Sequence, residues 1–433
     1  MNIRKIVKVF IPTTLFKKIE PIGHLWEAVA YNLLYGFPGR KFKVIGVTGT
    51  NGKTTTTYML HRMLREAGYN VGMMTTVAYG ANDDIRMQTY HMTNVPVPAL
   101  MKRLKWMRKQ GVEWLVLETT SHALAQNRVW GVPFSVAVMT NVTHEHLDYH
   151  GTFESYRDAK RKMFKLANKN KRGLRTGIVN TDDESARLFS SDVLHAIGYG
   201  TKTGHVVAKN VQLTPAGSTY QAVASDQTYN IVCNIPGSFN VANSLAVVAT
   251  GRVVGLSKDQ IEHGIAALQA VEGRMTRIDE GQDFDVIVDF AHTPDSFEKL
   301  FKDLRPVVKG KLIVMFGSAG RRDEAKRAVQ GKLAGEYADE VVITEEDDRD
   351  IDGVGIMNQI AEGAESAGKL SEQNLFLVHD RTEAINFAIN RAGTGDTVLL
   401  LGKGHEKTIE RANGENPWDE IGTAHAAAKA LQN

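Results

Sequence analysis

Thr48-Gly49-Thr50-Asn51-Gly52-Lys53-Thr54-Thr55 is the stretch on which the reading of this chain turns. It follows the apolar run Val44-Ile45-Gly46-Val47 and precedes the helix-like Tyr58-Met59-Leu60-His61-Arg62-Met63-Leu64. Strand, glycine loop, Lys-Thr and helix, in that order, make a phosphate-binding loop. Backbone N–H groups of the loop and helix start aim at phosphate oxygens, the lysine neutralises the terminal phosphates, and the threonine hydroxyl reaches Mg²⁺. Gly49, Thr50, Asn51, Gly52, Lys53, Thr54 and Thr55 are therefore the candidate ATP-binding residues, although the spacing Gly-x-x-Gly-Lys-Thr is two residues short of the full Walker pattern.

The composition suits a soluble enzyme of about two or three domains with ample core. A formal charge of +3 is too small to argue for nucleic acid, and no basic stretch is interleaved with aromatics. No apolar run reaches the ~18 residues that would span a bilayer. Cys233 is the single cysteine, which excludes an internal disulfide and a cysteine-based zinc site and suits a reducing cytoplasm. Lys8 and Pro12 interrupt the apolar start Ile3–Pro12 and no small-residue cleavage site follows, which rejects a secretory signal. That segment reads as an element packed on the body, with a basic amphipathic contact to a membrane surface as the alternative.

From Val44 to about Leu268 strands and helices alternate. Trp114–Leu117 and Ser135–Met139 read as buried strands, each ending in polar residues where an open parallel sheet places its ligands. Val206-Val207, Ser218–Tyr220 and Tyr229–Val232 suggest short antiparallel strands inserted in or flanking that domain. Near Gly273-Arg274 a second series begins, with strands at 286–288, 311–316, 341–343, 375–378 and 398–401. The expected class is α/β: a P-loop domain with a parallel sheet plus short antiparallel strands (43–273), then a Rossmann-like domain (274–433), after a short segment 1–42. Glu118 ends one strand, and Asn141, His144, Glu145, His146 and Asp148 follow another. Oxygen and imidazole groups converging beside a phosphate loop are what Mg²⁺-ATP chemistry needs. The run His144-Glu145-His146 lacks the i, i+4 spacing of a zinc helix.

Five ordered motifs then resemble the signatures of the Mur ligase family: Thr48–Thr55, Glu118–Leu124, Thr140–Thr152, Gly237–Asn243 and Val288–Asp295. Ala291-His292-Thr293-Pro294-Asp295 and Gly402-Lys403-Gly404-His405-Glu406 most resemble its MurE type, which adds the third amino acid of the peptidoglycan precursor. The resemblance implies an ATP-dependent amide ligase acting through an acyl phosphate, with Mg²⁺ (two ions) as cofactor. It places Lys53, His146 and Lys160 in catalysis, with Thr54, Glu118, His146 and Lys160 at the metals. Lys160 occupies the position that carries a carbamate, whose anionic oxygens suit a metal where an ammonium would be repelled. Asn240, Arg274, Asp289 and His292 would contact the nucleotide. Thr93, Asn94, Thr120, Gln126, Arg128, Arg327, Asp347, Asp348, Arg349, Gly402 and Glu406 would face the other substrates, a UDP-linked muramoyl peptide and a free amino acid. The enzyme is expected to be a monomer that closes on ATP before chemistry.

Two departures stand out. Members of the family carry an N-terminal uridine-nucleotide domain of roughly a hundred residues, too large for the 43 residues that precede Val44. The Asp-Asn-Pro-Arg motif of the MurE type appears here within Thr344–Asp350, where Asp347 and Asp348 replace asparagine and proline and Arg349 is kept. Acids crowding that single arginine favour lysine or ornithine over diaminopimelate, unless the run merely solvates an exposed loop. Competing readings are a folylpolyglutamate-synthetase-like ligase, a ligase using a non-UDP carrier, and a nucleotide-binding regulator without ligase chemistry. Lys53, Glu118, His146 and Lys160 occurring together argue against the last.

Overall fold

Val44, Ile45 and Val47 are fully buried in β1 (Lys43–Thr48), whose run of apolar residues suits a strand covered on both faces. The computed structural model describes residues 13–431 except Thr89, His91 and Pro215, and leaves aside the side chains of 13–19, Leu147 and Asp148. The segment Ile3–Pro12 and the Asp148 side chain, both singled out from the sequence, lie outside the described residues.

Ten further strands join β1 in one sheet among the described residues: β2 (Val71–Met74), β3 (Ala78–Ala81), β4 (Asp84–Met87), β5 (Trp114–Glu118), β6 (Phe134–Met139), β7 (Thr176–Asn180), β8 (His195–Gly200), β9 (Val206–Thr214), β10 (Gly217–Ala224) and β11 (Thr228–Cys233). Their order is β11-β10-β9-β8-β7-β6-β1-β5-β2-β3-β4. From β2 through β5, β1, β6, β7 and β8 to β9 the neighbours run parallel, and β3 and β4 add antiparallel edges. The three strands expected to be inserted or flanking thus continue the main sheet. Residues 215–216 between β9 and β10 are too short a link for a parallel crossover.

The helices of this unit include α1 (Thr13–Leu34), α2 (Lys53–Glu66) and α3 (Phe153–Lys169). Gly46 in β1 governs how close α3 comes. A Cβ there would lie 2.5 Å from Met163 Sδ and 2.7 Å from the Phe134 ring. The missing side chain lets Met163 seat against the sheet in the cluster of Phe134, Tyr156 and Phe164. Lys160, one turn earlier on α3, is thereby carried beneath the end of β1. A fourth helix, α4 (Ser238–Val253), buries Val241 and Leu245.

By internal contacts the chain divides into two units. The first comprises residues up to Val211, Thr219–Cys233 and Asn240–Leu268; the second comprises Gln212–Ser218, Asn234–Phe239 and the chain from Gln269 onward. In the second unit, β12 (Thr276–Ile278), β13 (Asp285–Asp289), β14 (Leu312–Phe316), β15 (Glu340–Ile343), β16 (Leu375–Leu377) and β17 (Thr397–Leu401) form a sheet in the order β12-β13-β17-β14-β15-β16. All pairs are parallel except β12 with β13. Helices α5 (Ala325–Tyr337), α6 (Arg381–Asn390) and α7 (Glu420–Ala430) pack on it, and β18 (Thr408–Arg411) with β19 (Gly414–Pro417) makes a hairpin.

On α2, His61 is buried, and its imidazole is pushed down to about 4 by burial and then by the charge of Arg65. The unfolded chain, at the ordinary 6.5, takes up this proton first. The stability it protects is full above about 6.5 and is lost as pH falls through about 4. We expect the urea midpoint to fall between pH 7 and pH 5, and His61→Leu to flatten the profile by up to ~1.4 kcal/mol per pH unit. An unchanged slope in the variant would assign the acid sensitivity elsewhere.

Candidate active site

The glycine loop turns out of β1 at Thr48 and enters α2 at Lys53. Gly52 makes the turn possible. Its φ of 81° is left-handed, and a Cβ would sit 2.2 Å from Asn243 Oδ1. The end of β6 pins the loop from the other side. Asn51 N donates to Asn141 Oδ1 at 3.0 Å, Thr140 Oγ1 donates to the Asn51 carbonyl at 2.6 Å, and Thr50 N donates to the Asn141 carbonyl at 2.8 Å. Lys53 folds back so that Nζ donates to the Thr50 carbonyl at 2.7 Å. Asn240, at the start of α4, is buried and accepts from Asn243 Nδ2 at 2.8 Å, which ties it to the residue packed on Gly52. Thr55 is buried at the start of α2. The loop is a preformed cradle of backbone donors at a helix N-terminus.

Glu118 closes β5 and is buried. Its carboxylate accepts from Thr54 Oγ1, Thr76 N and Thr76 Oγ1, each at 3.0 Å. Thr76 Oγ1 in turn lies 2.7 Å from Thr93 Oγ1. Asn94 Nδ2 donates to the Glu118 carbonyl at 2.8 Å, and Asn94 Oδ1 accepts from Thr120 N and Oγ1 at 2.9 and 3.0 Å. Arg128 Nη1 reaches the Asn94 carbonyl at 3.2 Å. Gln126 Nε2 donates to Tyr149 OH at 3.1 Å. Thr93, Asn94, Thr120 and Arg128, separate in sequence, thus form one network at the carboxyl ends of the strands. Sequence reasoning missed Thr76, because a threonine in a Thr-Thr turn carries no pattern until its carboxylate partner is known.

Lys160 is almost wholly buried, and Nζ donates to the Gly49 carbonyl at 2.6 Å while lying 4.4 Å from the centre of the Tyr156 ring. Burial pushes this amine well below the usual lysine range and the charge of Lys53 adds to it, against the pull of Glu145 and Glu118. Tyr156 OH is 3.0 Å from Thr50 Oγ1 and donates to Glu145 Oε2 at 3.4 Å. Burial, followed by Glu145, pushes that phenol up.

His146 adopts a left-handed φ of 56°, and its partly exposed ring lies 4.7 Å from that of His122 and 6.0 Å from that of Tyr156. His144 instead stacks on Phe153 at 4.6 Å. Among the described residues no three His, Cys, Asp or Glu side chains form a metal cage. The Thr54 hydroxyl and Glu118 carboxylate are an oxygen pair of the kind that a hard cation takes.

In the second unit the candidate residues gather at the carboxyl ends of the parallel strands. Asp289 ends β13 and accepts from Met275 N at 2.7 Å and Ala291 N at 2.8 Å. Burial raises its pKa while neighbouring Arg274 opposes the shift. Arg274 lies 4.7 Å over the Phe290 ring, which also meets the rings of His292 and His405 at 4.7 and 4.9 Å. His405 is pushed down to about 3 by burial and then by Arg274.

The acidic run is not a solvated loop, and several of its carboxylates are paired. Glu345, Glu346 and Asp348 are buried. Glu345 binds Arg411 Nε at 2.8 Å and Nη2 at 2.5 Å, Asp347 binds Lys403 Nζ at 2.9 Å, and Asp350 pairs with Arg321. Arg349 donates through Nε to Glu410 Oε2 at 2.7 Å and through Nη1 to the Gly320 carbonyl. Glu406 accepts from Lys403 at 2.6 Å, and Gly402 is packed against Glu346. Arg327 is buried on α5, donating to Gln359 Oε1 at 2.7 Å and the Ala319 carbonyl at 3.5 Å.

Comparison with known proteins gives these sites a context. Residues 47–251 match the Mur ligase middle domain, and residues 273–404 match the Mur ligase glutamate ligase domain. A UDP-N-acetylmuramyl-tripeptide synthetase of Roseiflexus sp. (strain RS-1) is 39% identical over 409 residues, covering 92% of this chain and 80% of its own. A UDP-N-acetylmuramoyl-L-alanyl-D-glutamate–2,6-diaminopimelate ligase of Geobacillus thermodenitrificans is 38% identical over 417 residues, covering 95% and 84%. A solved structure of a ligase with that latter name superposes with a TM-score of 0.66 at 27% identity, covering 96% of this chain and 83% of that one.

Proposed function

The chain belongs to the Mur ligase family, and on that premise we propose that it joins an amino acid to a UDP-N-acetylmuramoyl-dipeptide at the expense of ATP, in peptidoglycan precursor synthesis. The observation that carries the reading is the set of side chains around one loop. Lys53, Thr54 and Glu118 surround its helix end, and the Lys160 amine lies beneath it, 2.6 Å from the Gly49 carbonyl.

A carboxylate cannot be attacked directly by an amine because oxide is a poor leaving group. In the first step a carboxylate oxygen of the peptide attacks the γ-phosphorus of ATP, and the bond to the ADP oxygen breaks. The loop amides and Lys53 stabilise charge spread over the transferring group. In the second step the amine attacks the acyl carbon, loses its proton, and phosphate leaves from the tetrahedral centre. Mg²⁺ held by Thr54 and Glu118, and a second ion by His146 and a Lys160 carbamate, would supply positive charge at the phosphates. The carbamate forms when the amine adds to CO₂ and releases a proton. Thr93, Asn94, Thr120, Gln126 and Arg128 position the UDP-linked peptide. Asn240, Arg274, Asp289 and His292 contact the nucleotide, and the 345–349 and 402–406 loops take the incoming amino acid.

Phosphate release with UDP-muramoyl dipeptide and a panel of amino acids tests the activity, and release independent of any amino acid would overturn it. Lys53→Ala removes the positive charge at the γ-phosphate and should cost more than ~100-fold in turnover. Near-normal turnover would remove the loop from the mechanism. Lys160→Ala should be inactive and partly rescued by short carboxylic acids, while ¹³CO₂ should label the wild-type protein but not the variant. Labelling equal in both would move the carbamate elsewhere.

We assign the amino acid to the ammonium-tailed class, lysine or ornithine. Arg349, which would meet a distal carboxylate, is already engaged by Glu410 and the Gly320 carbonyl. Nearby, buried Glu346 has no ion pair with a lysine or arginine among the described residues, and Lys403 is shared by Asp347 and Glu406. One uncompensated like-charge contact at this partly screened depth is worth on the order of 1 kcal/mol or more, about tenfold in selection. Competition between lysine and diaminopimelate at equal concentration should favour lysine; preference for diaminopimelate means that Arg349 exchanges Glu410 for the substrate.

A further inference from the structure

Helix α1 has two faces. One is packed: His24, Ala28 and Asn32 are buried, Asn32 Nδ2 donates to the Trp130 carbonyl at 3.0 Å, and Asn127 Nδ2 donates to the Pro21 carbonyl at 3.2 Å. The other presents Ile22, Trp26 and Leu33 at spacings of four and seven residues, with Leu34 beside them. Their exposures are 54%, 69%, 64% and 75%. From Pro21 to Leu34 the sequence carries one charge, Glu27, so this outer face is apolar along its length. A run of large exposed apolar side chains on one helix marks an interaction surface, where scattered single ones would not.

The charges around the helix indicate what covers that surface. From the start of the chain to the first turns of this helix the sequence holds Arg4, Lys5, Lys8, Lys17 and Lys18 and no acid before Glu20. Beside the helix lies a groove lined by Asn127 and Trp130, the same residues that hold α1, with Leu166 in its wall. Its rim is Lys162, Lys165 and Lys169, exposed on one side of α3 at spacings of three and four residues. The only acid paired with these three among the described residues is Asp192, 3.9 Å from Lys165. A second copy of this chain would bring like charge against like charge. An anionic surface with an apolar interior would satisfy both the lysines and the apolar stripe, and a tryptophan beside them suits the headgroup boundary. No described helix is long and apolar enough to cross a bilayer, so the contact is one that lies on the membrane.

We propose that α1 seats the first unit on an anionic phospholipid surface, with Ile22, Trp26, Leu33 and Leu34 entering the headgroup boundary and Lys162, Lys165 and Lys169 meeting the lipid phosphates. The proposal is independent of which amino acid is ligated. The test is co-sedimentation of the full chain with vesicles of phosphatidylcholine alone or mixed with phosphatidylglycerol. Wild type should bind the mixed vesicles, less so as salt rises, and bind neutral vesicles weakly. Trp26→Glu with Leu33→Glu should lower partitioning at least ~tenfold while keeping the wild-type circular dichroism and solution activity. Lys162→Glu with Lys169→Glu, which leaves the apolar stripe intact, should remove most of the salt-sensitive part. Three results would overturn the proposal: no binding by wild type, equal binding by the Trp26→Glu, Leu33→Glu variant, or a concentration-dependent dimer abolished by that variant without vesicle binding.

Discussion

A primary amine with almost no access to water, 2.6 Å from a backbone carbonyl of a phosphate loop, is the constraint around which the first unit is arranged. An ammonium buried there would lose its hydration and face Lys53 as well. The surrounding residues make sense as an answer to that burial. Gly46 lets Met163 and so α3 approach β1, and the Tyr156 ring covers the amine. The Tyr156 hydroxyl holds Thr50 from one side and Glu145 from the other. The proposed carbamate would replace that ammonium with anionic oxygens of the kind a metal ion takes.

The second unit handles its most deeply buried charge in a different way, by pairing it. Arg381 is fully buried. Its guanidinium binds both oxygens of Glu420 at 2.6 and 2.8 Å and also donates to the carbonyls of Glu345 and Leu401. One side chain thereby holds the carboxyl ends of β15 and β17, from which the 345–349 and 402–406 loops emerge. Removing one partner from such a pair leaves an uncompensated buried charge, a more serious loss than never having had the pair. The geometry of the two loops rests on this frame, and a change at Arg381 or Glu420 would disturb both together.

Much of this was legible in the sequence because it is local. The loop, its preceding strand and its helix lie within twenty-four residues, and stretches such as 114–117, 136–139 and 398–401 are continuous apolar runs. Glu118 and Asn141 could be placed at strand ends by the same reasoning. The edge strands β3 and β4 could not, since Asp84-Ile85-Arg86-Met87 is exposed throughout and carries no buried pattern. Neither could partnerships that join distant segments: Thr76 with Glu118, Tyr156 with Thr50, Arg349 with Glu410. The pairing within the acidic run could not be read either, because its cations, Lys403 and Arg411, arrive from more than fifty residues away.

The bond between Thr54 and Glu118 joins the two groups proposed to hold a metal ion. The hydroxyl and carboxylate assigned to the ion bind each other at 3.0 Å, so entry of a cation requires the Thr54 proton to turn away and free both oxygens. That exchange costs little, because Glu118 keeps the N–H and the hydroxyl of Thr76 at 3.0 Å, and those two bonds fix its orientation whether or not the ion is bound. Thr76 therefore fixes the orientation of the Glu118 carboxylate, in the way outer partners commonly orient the proposed kind of ligand. Because Thr76 also meets Thr93, in the network proposed to position the UDP-linked peptide, the same hydroxyl would couple the Glu118 carboxylate to that substrate.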